Sequence, residues 1–224
     1  MINVDKTNPV WVATLNRPDK ANALTEQMLI DLRDTARDAK DASGLILTGE
    51  GRVFSAGADL DAARAGLATS PLWEELSSAI ADLPCMSIAA LNGTLAGGAM
   101  GMALACDMRI AVASAKFFYP VMKLGYLPQP SDPMRMRALI GPARAKMILL
   151  GGQKIFADEA LSFGLIDRIV DPADLLEIST SYRCGIYRFR RPPVVFDKNC
   201  GGRFATHLKN LARRGCPRNA STDA

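Results

Sequence analysis

Short apolar, β-branched stretches alternate with stretches whose apolar residues recur at helical spacing over residues 10–170. That alternation restricts the chain to an α/β architecture with largely parallel sheets. Val10–Leu15 reads as a strand broken by the turn Asn16-Arg17-Pro18-Asp19. Thr25 is placed to cap a helix carrying Met28, Leu29, Leu32, Ala36 and Ala39. Residues 44–48 read as a buried strand, and residues 52–55 as a second one after the turn Gly49-Glu50-Gly51. Ser70-Pro71 opens a helix with Leu72, Trp73, Leu76, Ala79, Ile80 and Leu83 on one face. Met86–Leu91 and residues 108–113 read as strands, separated by a helix that follows Gly97-Gly98 and runs to about Ala105. Asp132-Pro133 and Gly141-Pro142 read as helix starts, Ala157–Phe163 as a short helix ended by Gly164, and residues 165–170 as the last strand.

Composition narrows the chemistry. A chain of 224 residues, 49% of them apolar, can bury one sizeable core. No apolar run approaches the ~18 residues of a membrane span. Residues 1–12 hold no basic segment followed by an apolar one, so no secretory leader and a cytoplasmic location are expected. Cys85, Cys106, Cys184, Cys200 and Cys216 are widely spaced and odd in number, which argues against a disulfide framework or a zinc site. His207 is the only histidine, so a serine or cysteine nucleophile with a histidine base would have to use it. The remaining tools are backbone groups and carboxylates.

The net charge of +4 comes from the end of the chain. Between Ser181 and Arg218 the sequence is rich in arginine and lacks glutamate, and Arg190-Arg191-Pro192-Pro193 breaks any helix there. Phe204, Leu208 and Leu211 could line one face of a short basic helix. The segment reads as a basic surface extension. It lacks the interleaved stacking or groove-reading pattern of a nucleic-acid binder, so neither nucleic acid nor membrane is expected as a partner. The abrupt change in composition also fits a translated frameshift. The expected division is a core over residues 1–175 and an atypical basic segment over residues 176–224.

Two glycine-containing turns stand out. Residues 52–60 combine small residues at 55–58 with Gly57, where backbone can approach a ligand closely. Residues 92–101 follow a buried strand and open a helix, so their free N–H groups can hold an oxyanion or phosphate. Either turn alone reads equally as tight packing. Ala96, Gly98 and Gly101 form only a degenerate dinucleotide fingerprint with its first glycine missing. Residues 53–57 lack the first glycine of a nucleophile elbow.

Taken together, the turns are more specific. Phe54-Ser55-Ala56-Gly57-Ala58-Asp59-Leu60, then Asn92-Gly93 with Gly97-Gly98, then Cys106-Asp107, resemble the enoyl-CoA hydratase/isomerase (crotonase) family. Leu15-Asn16-Arg17-Pro18 with Asn22-Ala23-Leu24 is similar to its opening motif. Phe117-Phe118-Tyr119-Pro120, Gly125 and Pro128 resemble its post-strand loop, and residues 160–170 its closing helix and strand. The likeness covers residues 3–178. It implies an α/β fold, a crotonase-type spiral of ββα units followed here by an atypical C-terminal tail, assembled as a homotrimer or hexamer. It implies an acyl-CoA thioester as ligand and no cofactor beyond the CoA of the substrate. It places two backbone N–H donors, those of Ala58 and Gly98, around the thioester oxygen as an oxyanion hole. It carries CoA contacts onto Lys20, Ala23, Ala56, Ala58, Asp59 and Leu60.

Several positions depart from the family. Its hydratases carry one glutamate where Gly101 stands and another where Val121 stands, and neither residue here can titrate. Hydration needs one group to activate water and another to deliver a proton, so a two-glutamate hydratase is not expected. A lysine often found near the CoA phosphate is replaced by Asp61. Asp132 follows Pro128, where other branches place a catalytic acid, but it precedes Pro133 and reads first as a helix cap. Glu74 and Glu75 read as a solvated helix face, Tyr119 and Tyr126 as packing or proton donors, and Asp59 and Asp107 as structural. Three functions stay open: an isomerase-like enzyme that needs only one base, a non-catalytic acyl-CoA carrier or sensor, and an inactive paralogue that serves as an assembly partner.

Overall fold

The computed structural model describes residues 1–182. The tail features, including His207, Cys184, Cys200 and Cys216, lie outside the described residues. The elements run in the order β1 (Ile2–Asp5), β2 (Val10–Leu15), α1 (Glu26–Asp38), β3 (Gly44–Gly49), β4 (Val53–Ser55), α2 (Leu60–Arg64), α3 (Leu72–Ala81), β5 (Met86–Leu91) and β6 (Thr94–Ala96). They continue with α4 (Met100–Ala105), β7 (Met108–Val112), β8 (Lys116–Phe118), α5 (Asp132–Leu149), β9 (Ile155–Phe156), α6 (Ala157–Phe163), β10 (Arg168–Val170) and α7 (Leu175–Ser181).

The larger sheet has the order β1-β2-β3-β5-β7-β10, and the smaller one the order β4-β6-β8-β9. Among the described residues only β1 with β2 and β8 with β9 pair antiparallel. Each pair β3–β4, β5–β6 and β7–β8 sends its first strand into the large sheet and its second into the small one, and helix follows. That repetition is the spiral of ββα units. It explains why β3 and β5 read as unbroken apolar runs: parallel strands covered on both faces need no polar alternation. No helix among the described residues is long and apolar enough to cross a membrane.

Most expected elements are present, and several differences stand out. The short strand β6 stands between the turn at Gly93 and the Gly97-Gly98 entry to the helix, a stretch the sequence reading leaves without a strand. The two helix starts expected at Asp132 and Gly141 lie end to end in α5, which breaks at Gly141 (φ 78°, ψ 167°), a conformation suited to glycine, before Pro142 restarts it. Finally, α7 continues across the composition boundary at residue 175, because Leu175, Ile178 and Ser179 recur at helical spacing and pack inward on β5 and β7.

Buried polar groups hold the loops that carry the glycine turns. Asn22 is fully buried with φ 52°, and its amide donates to the carbonyls of Glu50 (2.9 Å) and Val53 (2.7 Å) while its oxygen accepts from the Arg17 N–H (2.8 Å). Asn22→Ala is expected to destabilise the fold by about 2–3 kcal/mol, since it removes the side-chain partner of the Glu50 carbonyl and the Arg17 N–H and leaves the Val53 carbonyl only the longer bond from the Asn92 amide (3.4 Å). Urea unfolding measures this, and a loss under about 1 kcal/mol would mean the loop is held by other groups. At the opposite edge, buried Arg109 donates to the carbonyls of Leu165 (2.8 Å) and Cys106 (2.8 Å) and pairs with Asp167 (3.1 Å), which ties β10 to β7.

Candidate active site

The first glycine turn is fastened to the opening loop of the chain. Ser55 Oγ donates to the Asn22 carbonyl (2.8 Å), the Ala56 N–H to that of Ala21 (3.0 Å), and the Leu24 N–H to that of Gly57 (2.8 Å). The Asp59 N–H in turn donates to the Leu24 carbonyl (2.9 Å), which makes Leu24 and Ala58 a parallel bridge. Because both neighbours of Ala58 bond to Leu24, the N–H and C=O of Ala58 itself point the other way. Asp59 accepts from Arg17 Nη1 (2.7 Å) and from the N–H groups of Asp61 (3.1 Å) and Ala62 (3.2 Å). Its carboxylate is thus taken up by an ion pair and by the cap of α2, and Arg17 foremost holds its pKa below the usual carboxylate range.

The second turn abuts the first. A Cβ at Gly57 (φ 96°) would lie 3.0 Å from the Ala96 carbonyl oxygen and 3.5 Å from the Gly98 nitrogen, so only glycine allows this approach. Gly98 follows Gly97 in a tight turn that leads into α4, where the first N–H groups have no partner within the helix. Ala56, Ala58, Gly97 and Gly98 together line a cleft of about 130 Å³. Its other walls include Trp73 from α3, Phe118 at the end of β8, Tyr119 and Val121 just after it, and Tyr126, Leu127 and Gln129 from the following loop. The Trp73 ring covers Gly98 closely: a Cβ there would sit 3.2 Å from it. The indole N–H donates to the Leu67 carbonyl (2.7 Å), which fixes the ring.

Behind the cleft lies Asp132, fully buried at the start of α5. The Tyr119 hydroxyl donates to its Oδ2 (2.5 Å). Its Oδ1 has no hydrogen-bond partner among the described residues. Burial pushes the carboxyl up to about 6, against the opposing pull of the Tyr119 hydrogen bond and of Arg135, while Glu74 adds to the rise. Tyr119 is raised as well, first by burial and then by the Asp132 charge.

The capping role read for Asp132 is not what the structure shows. Its side chain bonds none of the first N–H groups of α5; Ser131 holds the cap position. Glu74 serves that end of the helix instead, accepting from the Ser131 N–H (3.2 Å) and hydroxyl (3.0 Å). Glu74 is therefore half-buried and bonded rather than solvated, while Glu75 pairs with Arg33 (2.8 Å). Tyr119 is likewise more than packing. Asp107 accepts from the Ser87 N–H (2.8 Å) and hydroxyl (2.8 Å), joining the starts of β5 and β7.

Gly101 accounts for the position of Asp132. A Cβ at residue 101 would stand 2.8 Å from Oδ1 and 3.1 Å from Oδ2. The carboxyl from α5 thus occupies the space a side chain on α4 would need. Gly101→Ala is expected to destabilise the fold by about 1–3 kcal/mol. Adding Asp132→Gly should recover most of that loss in a double-mutant cycle read by thermal unfolding. Strictly additive effects would mean that the new methyl meets something else.

Val121 lines the cleft, as its position after Pro120 requires. Leu60 is exposed at the cleft mouth. Lys20 is exposed and Ala23 half-buried in the opening loop, outside the cleft lining. Asp61 is exposed and pairs with Arg64 (3.3 Å). Sequence reasoning missed Trp73 as a cleft wall, the Tyr119–Asp132 bond and the Glu74–Ser131 cap. Trp73 carried no signal beyond an apolar helix position, and the two pairs join residues from different elements.

Alternating ββα units wound through two sheets, with two glycine turns meeting over one cleft, define the class as the crotonase superfamily. The profile of the family described as enoyl-CoA hydratase/isomerase matches residues 5–184. A probable enoyl-CoA hydratase of Mycobacterium leprae is 36% identical over 181 residues, covering 78% of this chain and 70% of that protein. A crotonyl-CoA hydratase of Syntrophomonas wolfei is 34% identical over 184 residues, covering 78% and 71%. The crystal structure of an enoyl-CoA hydratase from Bacillus anthracis superposes with a TM-score of 0.74 at 34% identity, covering 80% of this chain and 74% of that one. The chain belongs to the enoyl-CoA hydratase/isomerase family.

Proposed function

We propose that the protein is an enzyme that binds an acyl-CoA thioester in this cleft and draws it toward its enolate. The N–H groups of Ala58 and Gly98 receive the thioester oxygen as it gains charge, and one buried carboxyl, Asp132, takes up and returns a carbon-bound proton. Fixed donors aimed at a developing oxyanion need no reorganisation during the reaction. With a single titrating group behind the cleft, the chemistry is isomerase-like rather than two-glutamate hydration. The observation that carries this reading is the Asp132 carboxyl lodged over Gly101, in the space a side chain at residue 101 would need. A base held at about 6 is mostly ionised at neutral pH yet remains a competent proton acceptor.

The CoA path along Lys20, Ala23, Ala56, Asp59 and Leu60 belongs to the same proposal. Asp59 would contribute backbone only, since Arg17 and the α2 cap engage its carboxylate. Assembly as a homotrimer or hexamer is also part of it: exposed Leu124, Leu127 and Met134 are apolar surface a partner copy would cover. The complete burial of Asp132 favours a second reading, a non-catalytic acyl-CoA carrier or sensor with the same cleft.

The test is to incubate the protein with 2-enoyl- and 3-enoyl-CoAs in D₂O and follow the esters by mass spectrometry. Deuterium on carbon with migration of the double bond supports the isomerase-like enzyme. Net gain of water would overturn it in favour of hydration. Bound but unchanged esters would select the carrier, and absence of binding would overturn both.

A further inference from the structure

The depth of Asp132 has a consequence for how it would work. Its side chain is fully buried, and it is not among the residues that line the cleft. Tyr119 is almost as deeply buried, 1% exposed, but it stands among the residues that line the cleft, between it and Asp132, and its hydroxyl sits 2.5 Å from Asp132 Oδ2. The Tyr119 oxygen accepts at most a long hydrogen bond from the Gln129 N–H (3.5 Å), so it retains capacity to accept a proton. The charged groups facing Asp132 are Glu74 from α3 and Arg135 from its own helix. Neither bonds the carboxyl directly among the described residues, so Tyr119 is its one hydrogen-bonded connection toward the cleft.

We infer that Tyr119 is the catalytic residue that meets the substrate's carbon-bound proton, and that Asp132 acts only through the Tyr119 hydroxyl. This rests on the enolate-forming reading above. In the forward step the C2–H bond of a 3-enoyl-CoA breaks and its proton bonds to the Tyr119 oxygen. The original hydroxyl proton passes to Asp132 Oδ2, and the C2–H electron pair flows into the thioester as an enolate. In the return step the C3=C4 π pair takes a proton from Tyr119 at C4, the enolate electrons close the C2–C3 double bond as the thioester carbonyl re-forms, and Asp132 returns its proton to Tyr119. Tyr119 stays neutral between steps, and no outside reactant is consumed.

The experiment measures deuterium incorporation into a 3-enoyl-CoA across pH 5–9 for the unaltered protein, Tyr119→Phe and Asp132→Asn, with ester affinity measured for each. Both variants are expected to lose at least ~100-fold in incorporation at every pH while affinity changes little. The inference is overturned if Tyr119→Phe still exchanges within about tenfold of the unaltered protein and its acid limb moves to higher pH. That shift would follow from losing the hydrogen bond that holds Asp132 down, and it would mean that the carboxyl reaches substrate itself. Retained exchange in Asp132→Asn would instead overturn the reading beneath it, and no exchange by the unaltered protein would overturn both. If Tyr119→Phe fails to fold or bind, 3-fluorotyrosine at position 119 keeps the ring and changes the phenol acidity. A changed plateau rate supports the relay, and an unchanged one overturns it.

Discussion

Asp132→Asn is expected to lower proton exchange on the thioester by ~10²–10⁴-fold, the usual contribution of a positioned acid or base. The amide keeps the size of the carboxyl and can still accept from Tyr119, so binding in the cleft should hold. In the unaltered protein the exchange rate should fall as pH drops through about 6, because the proton-accepting form is the carboxylate. The effect on stability has the opposite sign. Asp132 titrates at about 6 in the fold against an ordinary 3.8. A raised carboxyl favours the fold most below the lower value, and that contribution is lost as pH rises through about 6. At pH 7 and above, burying the charge costs on the order of 3 kcal/mol, and Asp132→Asn should recover part of it. Slower exchange together with a higher unfolding midpoint at pH 8 is the expected pair of results. A variant that is both inactive and less stable would mean that the carboxyl serves the fold. Strain of this kind is tolerated where a site needs it.

Gly98→Pro should be nearly as damaging, for a different reason. Proline removes the N–H that the proposal assigns to the thioester oxygen. Gly98 lies in the turn entering α4, so its N–H is not needed by the helix's own hydrogen-bond ladder, and thermal unfolding checks that the variant folds. Proline also brings a Cβ within 3.2 Å of the Trp73 ring, and that crowding must be separated from the lost donor. Gly98→Ala introduces the same Cβ but keeps the N–H. The comparison that matters is therefore proline against alanine: exchange should be ~10²–10³-fold slower in the former. Equal losses in the two variants would assign the effect to the ring and leave the Gly98 N–H without a role.

How much of this was legible in the chain depends on whether a feature is local. Val10–Leu15, β5 and α6 are marked by runs, spacings and breakers within a few residues, and they stand where those marks place them. The glycine turns were legible because each needs backbone freedom at a fixed point, as Gly57 shows with φ 96°. β6, β8 and β9 were not, since these short strands lack the turn or apolar run that marks β4 and β10 and take their identity from the neighbours they pair with. The same holds for Glu74, whose helical spacing placed it on a surface that the end of α5 in fact covers.

Sequence alone therefore determined the alternation of the longer strands and helices, the two glycine turns and the absence of titrating side chains at positions 101 and 121. These follow from periodicity, backbone freedom and residue identity, all carried within a short window of chain. Only the tertiary structure decided that a carboxyl from α5 would fill the space over Gly101, and that Tyr119 would join it toward the cleft. Those contacts span more than ten residues of chain, and the burial that raises the Asp132 carboxyl arises only when three helices and a loop close around it.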